Sequence, residues 1–135
     1  MAENQEYKVR QLLEMGACTN CQACIDVCPA VSAASDGELS AVYRMKGLQA
    51  LLKQRTGLFR ALFRKKPPAK ETLKHFSDTV FRCTLCGNCQ EVCPVGIHLK
   101  DLWLSLRQDM VHSKSYPKEI NMVRDNLAED HNVFA

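Results

Sequence analysis

One twelve-residue unit occurs twice in this chain. Residues 18–29 read CTNCQACIDVCP and residues 83–94 read CTLCGNCQEVCP. Seven of the twelve positions are identical: four Cys, plus Thr, Val and Pro. All eight cysteines lie in these units, at Cys18, Cys21, Cys24, Cys28, Cys83, Cys86, Cys89 and Cys93. Three Cys at i, i+3 and i+6 cannot all share one side of a helix, because each step of three drifts by about 60° around the axis. They suit a loop curled around a compact object on which thiolates converge. The Pro that follows each fourth Cys turns the chain away and removes an N–H donor.

The bonding partner of these thiols follows from spacing and setting. Structural zinc prefers pairs of Cys-x2–4-Cys hooks, and the middle Cys of each triplet would be surplus to such a pair. A disulfide framework needs an oxidising compartment. The opening residues MAENQEYKVR contain no apolar signal core, so a cytoplasmic location is expected. C-x2-C-x2-C-x3-C-P is instead the run of two-cluster iron–sulfur proteins, in which the fourth Cys of each run ligates the other cluster. The expectation is therefore two [4Fe–4S] clusters. Cys18, Cys21, Cys24 and Cys93 hold the first, and Cys83, Cys86, Cys89 and Cys28 hold the second. Gly87 and the small or polar Thr19, Thr84 and Asn88 allow close backbone approach, so that N–H groups reach cluster sulfurs.

The frame for these loops reads as all-α. At 135 residues the chain suits one domain, 1–135. No run alternates strictly with β-branched residues, and none approaches the ~20 apolar residues of a membrane span. Helical spacing predicts a first helix over about 4–15, with Val9, Leu12 and Leu13 inward and Gly16 as its stop. Ser35-x-x-Glu38 fits a capping box for a helix reaching about Arg55, with Val42, Met45, Leu48, Leu51 and Leu52 on one face. LFRALFRKK follows as an amphipathic piece broken by Pro67-Pro68. A helix over about 69–81 then presents Leu73, Phe76 and Val80. After the second unit, His98–Val111 stripes Leu99, Leu102, Trp103, Leu106 and Met110. A last helix over about 117–129 turns Ile120, Val123 and Leu127 inward. Asp101 and Asp109 read as solubilising positions, His98 as a helix-start residue, His75 as a neighbour of the second unit, and His112 and His131 as surface.

Charge is uneven. Residues 44–74 carry ten Lys or Arg against the single acid Glu71, while the chain as a whole is only +3. This basic stretch reads first as a solvated helical face, then as a surface for an acidic protein or, peripherally, an anionic membrane. Its aromatic residues fall among Leu at helical spacing, which is packing surface and argues against nucleic acid. No Gly-rich nucleotide loop and no Ser/His/Asp arrangement is present, so no catalytic residue and no substrate site is expected.

The two units, the long helical insertion over about 37–81 and the stretch FRCTLCGNCQEVCPVGIHLKDLW resemble the α-helical ferredoxin family, and within it proteins like the C subunit of heterodisulfide reductase. The iron–sulfur subunit of fumarate reductase and succinate dehydrogenase has a similar helical half. The resemblance covers roughly residues 5–130. It implies an electron-transfer subunit passing electrons to or from a catalytic partner rich in CCG motifs, with a flavin- or iron–sulfur-containing donor or acceptor on the other side. The CCG sequence does not occur here, and NLAEDHNVFA resembles the segment preceding CCG domains in fused relatives, which implies a separate partner polypeptide. The competing expectations are a freely diffusing ferredoxin-like carrier, or the iron–sulfur subunit of a fumarate reductase-like or lactate or glycolate oxidase-like complex.

Overall fold

The computed structural model describes residues 7–56 and 70–133. The LFRALFRKK piece and the Pro67-Pro68 break fall outside the described residues. Within them every regular element is helical: α1 (Val9–Ala17), α2 (Ala23–Asp26), α3 (Pro29–Ala34), a 3-10 turn (Gly37–Leu39), α4 (Ala41–Thr56), α5 (Lys70–Phe81), α6 (Asn88–Glu91), α7 (Leu99–His112) and α8 (Glu119–Glu129). The expected all-α fold with two cysteine-rich loops is what the chain adopts. None of these helices is long and apolar enough to cross a membrane.

The core is built by α4, α5 and α7. Trp103, Leu102 and Leu106 of α7 meet Met45 and Leu48 of α4 and Phe76 and Val80 of α5, all buried. At the α4–α5 crossing a Gly47 Cβ would lie 2.2 Å from Cε2 of Phe76. Glycine in a helix interior costs about 1 kcal/mol relative to Ala, and here the absent side chain is what lets the ring settle onto α4.

Five local expectations are corrected. In α1 the buried residues are Gln11 and Met15, while Val9 is 73%, Leu12 46% and Leu13 69% exposed. Polar pairing decides the orientation: Nε2 of Gln11 donates to Oγ of Ser105 at 2.8 Å, and the Lys8 N–H donates to Oε1 of Gln11 at 2.9 Å. Gly16 lies inside the helix instead of stopping it.

Ser35 does not open a helix. It ends α3 in the left-handed region at φ 52°. Asp36 caps the 3-10 turn by accepting from the Glu38 N–H at 2.9 Å, and Oγ of Ser40 accepts from the Tyr43 N–H at 3.2 Å at the start of α4. A Ser three positions before a Glu is a local signal, and a short helix supported by Pro29 at its first position overrides it.

The last helix buries none of its residues among those described, with Val123 39% and Leu127 51% exposed. Asp109, expected at a solubilising position, is buried at 7% exposure and accepts from the Tyr7 hydroxyl at 3.4 Å.

Candidate metal centre

The two cysteine units fold into the same local shape. In each, the residue two after the first Cys takes a positive φ (Asn20 at 56°, Leu85 at 56°), and so does the residue four after it (Gln22 at 67°, Gly87 at 89°). A four-residue helix follows in both, α2 and α6, closed by Val27 and Val92 in nearly the same conformation. Matching hydrogen bonds tie the turns: Ile25 N–H to Gln22 C=O and Gln90 N–H to Gly87 C=O, both at 2.8 Å. Two left-handed residues per loop bend the chain so that successive thiols face inward. The helices α2 and α6 then pack against each other, α2 also against α4 and α6 against α7. The Asn88 side chain reaches across to the Val27 carbonyl at 3.4 Å.

This packing brings thiols from opposite units together. One cavity of about 430 Å³, open on one side, has Cys18, Cys21, Cys24 and Cys93 on its wall, together with Cys89. A second, of about 380 Å³, has Cys28, Cys83, Cys86 and Cys89. Cys89 belongs to both walls, so the cavities are neighbours. All eight cysteines are free thiols; Cys21 and Cys86 are exposed and the other six half-buried. Among the described residues no three Cys, His, Asp or Glu side chains converge closely enough for a single metal ion. The thiols instead surround spaces suited to a group of several atoms.

Two orphaned donors test what that group is. Nε of Arg44 and Nε1 of Trp103 are fully buried without a hydrogen-bond partner, and both residues line the second cavity. A buried N–H left unpaired costs about 1–3 kcal/mol, so such donors imply an acceptor. The sulfurs of a thiolate-held iron cluster are such acceptors. Four or five thiols per cavity, with residues carrying unpaired buried N–H groups on the wall of the second, fit a thiolate-held iron–sulfur cluster.

The thiol acidities follow their surroundings. Burial pushes the Cys89 thiol up to about 11, with the Arg44 charge pulling the other way. Burial also raises Cys24. The backbone N–H of Asn88 holds Cys86 below the usual thiol range, helped by the Thr84 hydroxyl and by Arg44.

Arg44 is the functional residue that sequence reasoning missed. By sequence it belongs to the basic, solvated stretch, yet it is 1% exposed. Its Nη1 donates to the Leu39 carbonyl at 2.8 Å, which also accepts from the Cys28 thiol at 3.7 Å, and its guanidinium carbon lies 5.2 Å from the centre of the Trp103 ring. The signal that could have found it is its place on the apolar face of α4, three residues after Ala41 and four before Leu48. Trp103, expected only as core, is the second such residue. Arg107 is a third: its guanidinium donates to the carbonyls of Val80, Phe81 and Cys83, tying the end of α5 to the second loop.

The histidines lie outside both cavities. His98 pairs through Nδ1 with Glu14 at 2.7 Å, and its backbone N–H donates to the same carboxylate. His75 pairs with Glu38 at 2.6 Å.

The chain matches the family described as 4Fe–4S dicluster domain over residues 14–97. It is similar to the D subunit of dihydromethanophenazine:CoB–CoM heterodisulfide reductase from Methanosarcina barkeri, 35% identical over 103 residues, covering 75% of this chain and 25% of that protein. The same subunit from Methanosarcina mazei is 29% identical over 126 residues, covering 92% and 31%. Lactate utilization protein B 1 of Bacillus mycoides is 32% identical over 105 residues, covering 78% and 19%. The chain thus spans between a fifth and a third of the length of these relatives. The heterodisulfide reductase similarity is to the D subunit, where the cysteine pattern pointed to the C subunit. No solved structure matches.

Proposed function

The chain belongs to the 4Fe–4S dicluster domain family, and from that premise we propose that it relays single electrons through two [4Fe–4S] clusters between a donor and a catalytic partner in a heterodisulfide reductase-like complex. The observation that carries this is the pair of adjacent thiol-lined cavities, each drawing cysteines from both units and sharing Cys89. In this reading Cys18, Cys21, Cys24 and Cys93 hold one cluster, and Cys83, Cys86, Cys89 and Cys28 the other. Each cluster, when bound, accepts or gives up one electron. The protein's own part is to hold the thiolates, exclude water and place hydrogen-bond donors. Ala41, Val42, Met45, Ile97 and Leu99 form the apolar wall of the first cavity. Arg44 and Trp103, each with a buried unpaired N–H, stand on the wall of the second. The partner expected at the catalytic end is a CCG-rich polypeptide, and at the other end a flavin- or iron–sulfur-containing one. The setting is the cytoplasm, with peripheral membrane contact through the basic stretch.

Anaerobic purification from the native host tests this. The expected preparation is brown, holds about eight iron and eight acid-labile sulfide per chain, and elutes with a CCG-rich polypeptide identifiable by mass spectrometry. Elution alone would replace the complex with a freely diffusing carrier, and zinc in place of iron would end the cluster assignment. The similarity to lactate utilization protein B favours a second reading, an iron–sulfur subunit of a lactate-oxidising complex. The identity of the co-eluting polypeptides separates the two.

A further inference from the structure

The two thiol cavities are alike in solvent access and unlike in charge. Each has one exposed and three half-buried cysteines of its own. Among the described residues, none on the wall of the first cavity is charged. The wall of the second contains Arg44 and Lys100, and Arg107 stands behind it on the Cys83 carbonyl. Lys100 is exposed and screened by water and salt. Arg44 is 1% exposed, and among the described residues no carboxylate pairs with it.

A buried guanidinium with no counter-ion is strongly unfavourable, because a charge removed from water needs an opposite charge nearby. An Arg cannot shed its proton to escape this. The anion must therefore come from the cavity it lines, where four thiolates gather. From Nη1 the guanidinium is pinned by the Leu39 carbonyl, and from one face it rests on Trp103, which leaves Nε as the group without a partner.

We infer that Arg44 is a built-in countercharge that makes the Cys28–Cys83–Cys86–Cys89 site the higher-potential of the two, so that an electron entering the chain comes to rest at that end. The inference rests on the two-cluster reading above. The step is an internal one-electron exchange: the site at Cys18, Cys21, Cys24 and Cys93 is oxidised, the other is reduced by the same electron, and no proton moves. A fixed cation beside a group that gains negative charge on reduction stabilises the reduced form, more so where the dielectric is low. Arg44 is a positioning residue for charge and takes no part in bond-making.

The experiment is a dithionite titration of the full, cluster-loaded chain, followed by electron paramagnetic resonance, with iron and sulfide counted first. A chain without about eight iron fails the cluster reading and never reaches this test. Cys86→Ser assigns the signals, because it perturbs only the second site. In the unaltered chain the signal it perturbs is expected to appear first on reduction. Arg44→Met, similar in length and uncharged, should shift that site's reduction equilibrium at least tenfold toward the oxidised form, equivalent to about 59 mV for one electron, and leave the other site within a few-fold. Arg44→Lys should restore most of the difference. The inference is overturned if the first site reduces first in the unaltered chain, an outcome independent of whether Arg44→Met stays loaded. It is equally overturned if Arg44→Met shifts both sites alike or neither, or if Arg44→Lys behaves as Arg44→Met.

Discussion

Arg44 and Lys46 stand two positions apart on α4, yet the first is buried and the second exposed. Position on the helix, not residue class, decides which of them acts on the thiols. The same holds among the cysteines. Cys86 is exposed and its thiolate is favoured by the Asn88 N–H, while burial raises Cys89 to about 11. In the iron-free chain at pH 8, alkylation followed by peptide mapping should label Cys86 early and Cys89 last, because the thiolate is the nucleophile. Equal rates would mean the two environments do not differ. The sign of the pH effect follows. Cys89 is raised on folding, so its neutral form favours the fold. That contribution is complete below the ordinary thiol value of 9 and is lost as pH rises toward about 11. Thermal unfolding of the iron-free chain should therefore move to lower temperature between pH 9 and 11. Iron loading runs the opposite way, since it must displace the thiol protons and is disfavoured by acid.

Two glycines show how elements constrain one another. Ala at position 47 would drive its Cβ into the Phe76 ring and push α4 and α5 apart. Gly47→Ala is expected to destabilise by roughly 1–3 kcal/mol despite its better helix propensity, readable as a lowered denaturant midpoint. An unchanged or raised midpoint would show that the ring yields freely. The loops offer a paired test. Gly87 and Gln22 occupy the same place in the repeated turn, both at positive φ, and a Cβ at Gly87 would meet nothing within 4 Å. Gly87→Ala should then cost only the backbone term, about 1–2 kcal/mol. Gln22→Gly should be neutral or gain up to about 1 kcal/mol. Effects of the same sign would deny that the two turns share a strain.

At the scale of the whole molecule the two units are interleaved. Cys93 lies on the cavity wall with Cys18, Cys21 and Cys24, and Cys28 on the wall with Cys83, Cys86 and Cys89. If each cluster is held across the units as proposed, Cys93→Ser should lower iron from about eight to about four per chain. It should expose Cys18, Cys21 and Cys24 to alkylation while Cys83, Cys86 and Cys89 stay protected. Protection lost instead in the second unit would place Cys93 with its sequence neighbours. Cross-holding also ties residues 18–28 to 83–93 through the bound groups, so stripping iron should loosen both units together.

The repeated cysteine spacing is enough to establish two cysteine-rich loops and an iron–sulfur protein, because thiol count and spacing are chemical requirements written along the chain. The α7 stripe of Leu99, Leu102, Trp103, Leu106 and Met110 is legible for a similar reason: helical periodicity exposes a buried face whenever that face is purely apolar. The α1 face, the role of Ser35 and the α8 stripe are not, since each turns on a choice between partners distant in sequence. Gln11 is inside because Ser105 lies 94 positions away to receive it. Asp109 is inside because Tyr7 is. Arg44 looks like one cation among ten, and only the meeting of α4, α7 and the second loop buries it against Trp103 and the Cys89 wall. Which atoms bind can thus be read along the chain, since ligand type and spacing are local. Which charge stands beside them emerges on folding, because burial of a charge is a property of its surroundings, and these come from segments far apart in the chain.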